Sequence, residues 1–235
     1  MGLKFSHIEK SFGSEREPDF HLDIQNLEIF EDEITFLMGH NGSGKSVLLK
    51  VLSGEMESNF GQISTSLNNV RIGIVRQDSE QNLALSLTVE QNLFLRFRPI
   101  SLRAYLFPNN EFNDDVSKSL NDHKTLRNKR KDIVSDLSGG QKQALAFFAV
   151  NASNPSLLCL DEFLAATDRS TSELLIEEIK GLKSNGRFVL IVSHDIELAL
   201  NLADRIVILS NGKLSKVLTK SRGNEWNSKA LKTLI

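Results

Sequence analysis

The chain has little of several things that would have pointed elsewhere. Among its 235 residues there is one cysteine, Cys159, so no disulfide can close within it. That thiol lies in the apolar run Leu157-Leu158-Cys159-Leu160, which marks it as buried and reduced. An excess of charge of one sign is also missing. Lys and Arg number 28 against 30 Asp and Glu, a net −2, so there is no basic field to favour a nucleic-acid partner. No apolar run approaches membrane-spanning length and the N-terminus has no signal-peptide pattern, so a cytoplasmic protein is expected. The histidines show no metal-ligand spacing, and no repeat, heptad run or low-complexity tract stands out. What remains is ordinary. With 40% apolar and 25% charged residues, the chain can bury a full core, as one large domain or a domain with an inserted lobe.

The stretch that organises the rest is Gly39-His40-Asn41-Gly42-Ser43-Gly44-Lys45-Ser46, which fits G-x-x-x-x-G-K-[ST]. Ile34-Thr35-Phe36-Leu37-Met38 before it reads as a short buried strand. Val47-Leu48-Leu49-Lys50-Val51-Leu52 after it reads as a helix that Gly54 can stop. The glycines let main-chain N–H groups and the positive end of the helix converge on one small volume, which suits a polyphosphate. Lys45 would reach the terminal phosphates and the Ser46 hydroxyl would hold Mg²⁺.

Around this loop the pattern is strand-like at first. Residues 3–8 and 21–29 alternate loosely, with Ser11-Phe12-Gly13-Ser14 read as a turn between them, and residues 61–66 and 70–75 suggest two more strands. After Gln77 the character becomes helical. Thr88-Val89-Glu90-Gln91 is a T-x-x-Q capping box, followed by Val89, Leu93 and Phe97 at helical spacing until Arg98-Pro99. Pro108 closes a second short piece, and residues 113–126 suggest an exposed helix. The charges over 124–131 read as a solvated face rather than a binding patch. Residues 156–160 form a buried strand, 171–183 an amphipathic helix, 187–192 a strand and 196–203 a helix. Residues 205–209 and 213–218 flank an Asn211-Gly212 hairpin signal.

Two further motifs carry chemistry. Leu157-Leu158-Cys159-Leu160-Asp161-Glu162 is an apolar strand ending in two carboxylates. In a parallel sheet that end lies beside the phosphate loop, where Asp161 can support Mg²⁺ and Glu162 can polarise the attacking water. Leu137-Ser138-Gly139-Gly140-Gln141 offers a second helix start with exposed N–H groups, a second anion site.

Here the sequence resembles the ATP-binding cassette (ABC) ATPases, for which L-S-G-G-Q is the signature, and the likeness covers nearly the whole chain. It implies an α/β fold: a P-loop NTPase core of mixed sheet flanked by helices, an N-terminal antiparallel β-subdomain and an inserted α-helical subdomain. Residues 1–235 would be one ABC ATPase domain, with 1–77 and 151–235 as the nucleotide-binding core and 78–150 as the helical subdomain. ATP and Mg²⁺ are the implied cofactors. Phe12 matches the ring that stacks on adenine, with a core phenylalanine as the alternative. Gly39, His40, Asn41, Gly42, Ser43, Gly44, Lys45, Ser46 and Val47 would line the phosphates, with Mg²⁺ at Ser46, Gln77 and Asp161. Gln77 also matches the glutamine that meets the attacking water, and His194, in Ser193-His194-Asp195, the switch histidine at the γ-phosphate. Glu162, His194, Gln77 and Lys45 are thus the expected catalytic set. Ser138, Gly139, Gly140 and Gln141 would reach only the ATP of a second copy, and Asp168 would communicate across that dimer. Asp168 serves equally well as the acid at the start of the helix over 171–183.

The chain departs from the family at Val47, where a hydroxyl residue is frequent, and at Phe163-Leu164-Ala165, where Pro-Thr-Ser is frequent. The catalytic residues are intact, so an active ATPase is expected. The resemblance further implies a separate membrane permease, an ATP-dependent homodimer or a heterodimer with a related cassette, and peripheral attachment to the inner face of the cell membrane. Phe94, Phe97, Tyr105 and Phe107 are candidates for apolar surface facing the permease, or equally for packing inside the helical lobe. Leu87-Thr88-Val89-Glu90-Gln91-Asn92-Leu93, Leu137-Ser138-Gly139-Gly140-Gln141-Lys142-Gln143-Ala144-Leu145-Ala146 and Ala165-Ala166-Thr167-Asp168 look most like small bacterial importer subunits of the amino-acid type, which work with an extracytoplasmic binding protein. The alternative is a soluble ABC ATPase acting on DNA, ribosomes or cluster assembly.

Overall fold

The computed structural model describes residues 1–13, 18–59, 70–97, 126–165, 167–220 and 226. The strand expected over 61–66, the piece ended by Pro108, the rings of Tyr105 and Phe107, and all but the last residue of the helix expected over 113–126 lie outside these. Two compact units form. One comprises Met1–Ile74, Ser156–Glu162 and Ile179–Ile235; the other comprises Val75–Pro155 and Phe163–Glu178.

The first unit is built on a mixed eight-stranded sheet of order β1-β2-β8-β7-β3-β6-β5-β4. Its centre is β3 (Ile34–Met38), parallel to β7 (Arg205–Ser210) on one side and β6 (Phe188–Val192) on the other. β5 (Leu157–Asp161) follows in parallel beside β6, and β4 (Ile72–Val75) lies at the edge. Every residue of β3 and β6 is buried, as their unbroken apolar runs require of strands covered on both faces.

β1 (Gly2–Gly13) and β2 (Pro18–Phe30) pair antiparallel, with Leu3 opposite Ile29, Phe5 opposite Leu27 and Ile8 opposite Ile24. These pairs turn one face into the core. β1 runs further than expected. Ser11, Phe12 and Gly13 are strand residues paired with His21, Phe20 and Pro18, so the turn expected over 11–14 does not begin before Gly13. Polar Ser11 and the glycine suggested a turn, but the ladder to β2 overrides that local preference. β7 and β8 (Lys213–Thr219) form the expected hairpin, with Asn211 and Gly212 at φ 45° and 75°, the pair of positive angles a type I′ turn needs.

α1 (Lys45–Leu52) buries Leu48, Leu49, Val51 and Leu52 in the same core. A short helix, Ile196–Leu202, is capped by Asp195, whose carboxylate accepts from Leu198 N at 3.0 Å.

The second unit is helical. α2 (Val89–Phe97) starts at the expected capping box: Gln91 N donates to Thr88 Oγ1 at 3.3 Å and Thr88 N to Gln91 Oε1 at 2.9 Å. It packs against α3 (Gly139–Ala152), which is buried continuously from Gln143 to Val150. Phe94 is buried, so it contributes packing and not free surface. From the basic run, Lys129 pairs with Asp132 and Arg130 with Glu90. α4 (Arg169–Ser184) begins in this unit and buries Thr171, Leu175 and Ile179 at four-residue intervals.

Candidate functional site

In the first unit, the C-terminal ends of three parallel strands deliver the loop after Met38, the Asp161-Glu162 pair after β5, and Ser193-His194 after β6. The register aligns Leu37 and Asp161 with Val192, so these segments leave the sheet at one level. Ligands of open α/β sheets bind at this end.

The loop is shaped by close approaches only glycine permits. A Cβ on Gly39 would come within 2.1 Å of the Leu209 carbonyl oxygen, and one on Gly44 within 2.7 Å of the Phe20 ring. Gly44 sits at φ 106° immediately before α1. The turn of the β7-β8 hairpin holds the loop from outside, Gly212 N donating to Ser43 O at 2.9 Å. Gly212 also bonds to β2 through Asp23 N at 2.8 Å. None of these tertiary braces has a signature in the local sequence.

Lys45 folds back over the loop, its ammonium donating to Gly39 O at 2.7 Å and His40 O at 3.1 Å. Burial holds its pKa below the ordinary lysine value, against the opposing pull of the Glu162 and Asp161 carboxylates. A cation held on two neutral carbonyls is poised to exchange them for phosphate oxygens. Ser46 is exposed at the first turn of α1 and Asp161 half-buried. A hydroxyl and a carboxylate are the hard oxygen donors Mg²⁺ prefers, so these residues fit that ion. His40, Asn41 and Gly42 are exposed, and Gly42 has open space where a Cβ would be. Val47 is half-buried and packs on the core, which explains an apolar residue there.

Glu162 adopts φ 45°, a left-handed conformation uncommon outside glycine. Its N–H donates to Val192 O at 2.9 Å, and its carboxylate accepts from His194 N at 3.1 Å, His194 Nδ1 at 2.7 Å and Ser193 Oγ at 3.4 Å. The strain is thus held by four bonds to the end of β6. His194 keeps a side-chain exposure of 74% and presents the rest of its ring to solvent.

Phe12 is 37% exposed at the end of β1 and lies 6.3 Å from the Phe20 ring, with Lys10 5.8 Å from its centroid. It is therefore a surface ring and not a core phenylalanine. Phe20, against Gly44, links it to the phosphate loop.

The second unit holds the remaining residues. Ser138 is the N-cap of α3 in a complete capping box: Gln141 N donates to Ser138 Oγ at 3.4 Å and Ser138 N to Gln141 Oε1 at 3.1 Å. The same S-x-x-Q spacing was legible in the sequence. Asp168 lies beside this helix start, its Oδ2 3.1 Å from where a Cβ on Gly140 would be. It accepts from Ser170 Oγ, Thr171 N and Thr171 Oγ1 at 2.6–3.0 Å, which pulls its pKa down to about 2. Asp168 therefore caps α4. Gln77 is exposed on the turn after β4.

A family model described as "ABC transporter" matches residues 22–165. The chain belongs to the ABC transporter ATPase family. This ABC ATPase is 32% identical to a hemin import ATP-binding protein of Photobacterium damselae subsp. damselae, over 96% of this chain and 84% of that protein. It is 30% identical to a tyrosine transport ATP-binding protein of Clostridioides difficile, over 90% of each chain. Among solved structures it resembles a dimeric ATP-binding cassette in a post-hydrolysis state bound to ADP and Pi. That match has a TM-score of 0.74 at 25% identity, over 92% of this chain and 98% of that one. The structure of another ABC transporter ATP-binding subunit matches in fold, with a TM-score of 0.79 at 22% identity, over all of this chain and 98% of that one. The cassette thus has the fold of an enzyme that binds and hydrolyses ATP. Among the described residues no helix is long and apolar enough to cross a membrane.

Proposed function

We propose that this ABC ATPase is the ATP-hydrolysing subunit of an importer for a small, amino-acid-like substrate, and that it energises a separate permease from the inner face of the membrane. The observation that carries the hydrolytic part is Glu162, a carboxylate fixed by β6 at the strand ends that also present the phosphate loop. ATP enters the loop and Lys45 exchanges Gly39 O and His40 O for the terminal phosphates. Ser46, Asp161 and Gln77 would hold Mg²⁺, which would neutralise charge on the phosphate oxygens. Glu162 accepts the proton of the attacking water, and His194 touches the γ-phosphate. Phe12 stacks on the adenine. Gly39, His40, Asn41, Gly42, Ser43, Gly44 and Val47 supply N–H groups or shape around the phosphates.

The signature residues Ser138, Gly139, Gly140 and Gln141, with Asp168, act on the ATP of a second protomer, so the working form is a dimer. Its partners are the permease and an extracytoplasmic binding protein. The dimeric, ADP- and Pi-bound relative supports this reading, as do the import functions carried in the relatives' names.

The test is Glu162→Gln. It should abolish phosphate release, retain Mg-ATP and accumulate as a dimer by light scattering. Wild-type turnover in that variant removes Glu162 from the role of base. In cell fractions the wild-type chain should sediment with membranes and be released by high salt; a chain found only in the soluble fraction would favour a non-transport ABC ATPase.

A further inference from the structure

Within the second unit, the first turns of α3 grip the segment that carries Gln77 on both sides of it. Ahead of Gln77, the side-chain amide of Gln143 donates to the main-chain carbonyl of Arg76 at 3.2 Å, from a position only 1% exposed. Beyond it, Lys142 Nζ donates to Glu80 Oε1 at 2.7 Å, with the lysine side chain 16% exposed. Between the two grips the segment is braced by itself. Arg76 N donates to Asn82 Oδ1 at 2.8 Å, and Glu80 N to Asp78 Oδ1 at 3.1 Å at the start of the 3-10 turn Ser79–Asn82. Gln77 is exposed, on a backbone held before and after it.

Gln143 is an unusual choice for its position. The seven residues that follow it, 144–150, are all apolar and all buried. An amide placed in such surroundings is tolerated only with its hydrogen bonds made, so the side chain is there for the bond and not for packing. Lys142 and Gln143 also directly follow Ser138-Gly139-Gly140-Gln141. At about 1.5 Å of rise per residue, the grips lie within one to two turns of the signature cap.

We propose that Gln143 and Lys142 are positioning residues for Gln77: together they make the helix start at Ser138 and the loop of Gln77 move as one body. A nucleotide engaging the helix start is then felt at Gln77 without any signal passing through the loop's own sequence. The inference rests on the reading of Gln77 and Ser138 as parts of the ATP machinery.

The test has two arms. With Mg-ATP, Glu80→Lys and Lys142→Glu should each lower kcat about tenfold, with the KM for ATP within about twofold, and the double variant should recover most of the loss. In the second arm, Gln143→Leu fills the same volume without the donor. It should speed hydrogen exchange of the Gln77 and Asp78 amides about tenfold or more at a melting temperature close to wild type. Single reversals with wild-type kcat, a double variant no better than the singles, or unchanged exchange in Gln143→Leu overturns the proposal. A wild-type chain that does not turn over ATP sinks the ATPase reading instead, and the exchange arm still decides the two-sided grip.

Discussion

Glu162 receives two hydrogen bonds from His194 on one carboxylate oxygen, from the main-chain N–H at 3.1 Å and from Nδ1 at 2.7 Å. A carboxylate oxygen accepts, so Nδ1 carries the ring proton. These bonds fix Glu162 and His194, the proposed base and switch residue, to each other, and Ser193 Oγ reaches the other oxygen at 3.4 Å.

Removing the ring should therefore loosen Glu162 as well as delete the proposed phosphate contact. His194→Ala is expected to lower kcat about a hundredfold or more while ATP affinity stays within about threefold. Steady-state phosphate release and equilibrium nucleotide binding check it. Unchanged kcat would show that Glu162 needs no help from β6.

The glycines of the phosphate loop should differ sharply from one another. Gly39→Ala drives a Cβ onto the Leu209 carbonyl at 2.1 Å, against backbone that has nowhere to go. It should cost about 2 kcal/mol or more in urea unfolding. Gly42→Ala meets nothing within 4 Å and bears only the strain of φ 81°, so it should cost about 1 kcal/mol. Equal losses would mean that the brace from β7 is unimportant.

Asp168 gives an acid-dependent signature. Its hydrogen bonds from Ser170 and Thr171 lower its pKa to about 2, below the unfolded value of about 3.9. The lowered folded value means that the stabilisation is complete above the unfolded pKa and is lost as pH falls through the folded one. Between about pH 4 and pH 2, wild type should lose stability relative to Asp168→Asn. Melting temperatures across that range decide it; parallel curves would remove the carboxylate from the cap.

Cys159 is fully buried among Leu157, Leu190 and Val192, and burial pushes its thiol pKa far up, with Asp161 adding to it. A maleimide should leave it unlabelled in the folded chain and react only as fast as the chain opens. Rapid labelling under native conditions would contradict the packed centre of the sheet.

Much of the site was legible because its chemistry is local. The phosphate loop, the α1 stripe, the T-x-x-Q cap of α2 and the carboxylates after β5 are each carried by a few consecutive residues, and each stands where its pattern placed it. The Asn211-Gly212 turn is legible for the same reason. Ser11–Gly13 misled because short-range turn preference lost to pairing with β2. Ser138 and Gln141 form a capping box with the same spacing as Thr88 and Gln91, a signal overshadowed in the sequence by the two glycines between them. The left-handed Glu162, the stop of Leu209 against Gly39 and the grip of Gln143 on Arg76 join residues distant in sequence, and no window of single-chain pattern contains both ends.

Hairpin tips are ordinarily where a chain best accepts a spliced-in peptide or reporter. The tip at Asn211-Gly212 is the opposite case. Gly212 is buried, its amide is spent on Ser43, its carbonyl on Asp23, and a Cβ there would come within 1.9 Å of His21 O. Engineering that lengthens this bend would loosen the Gly39–Lys45 loop that it braces, so a tag meant to be silent would be expected to cost ATP turnover.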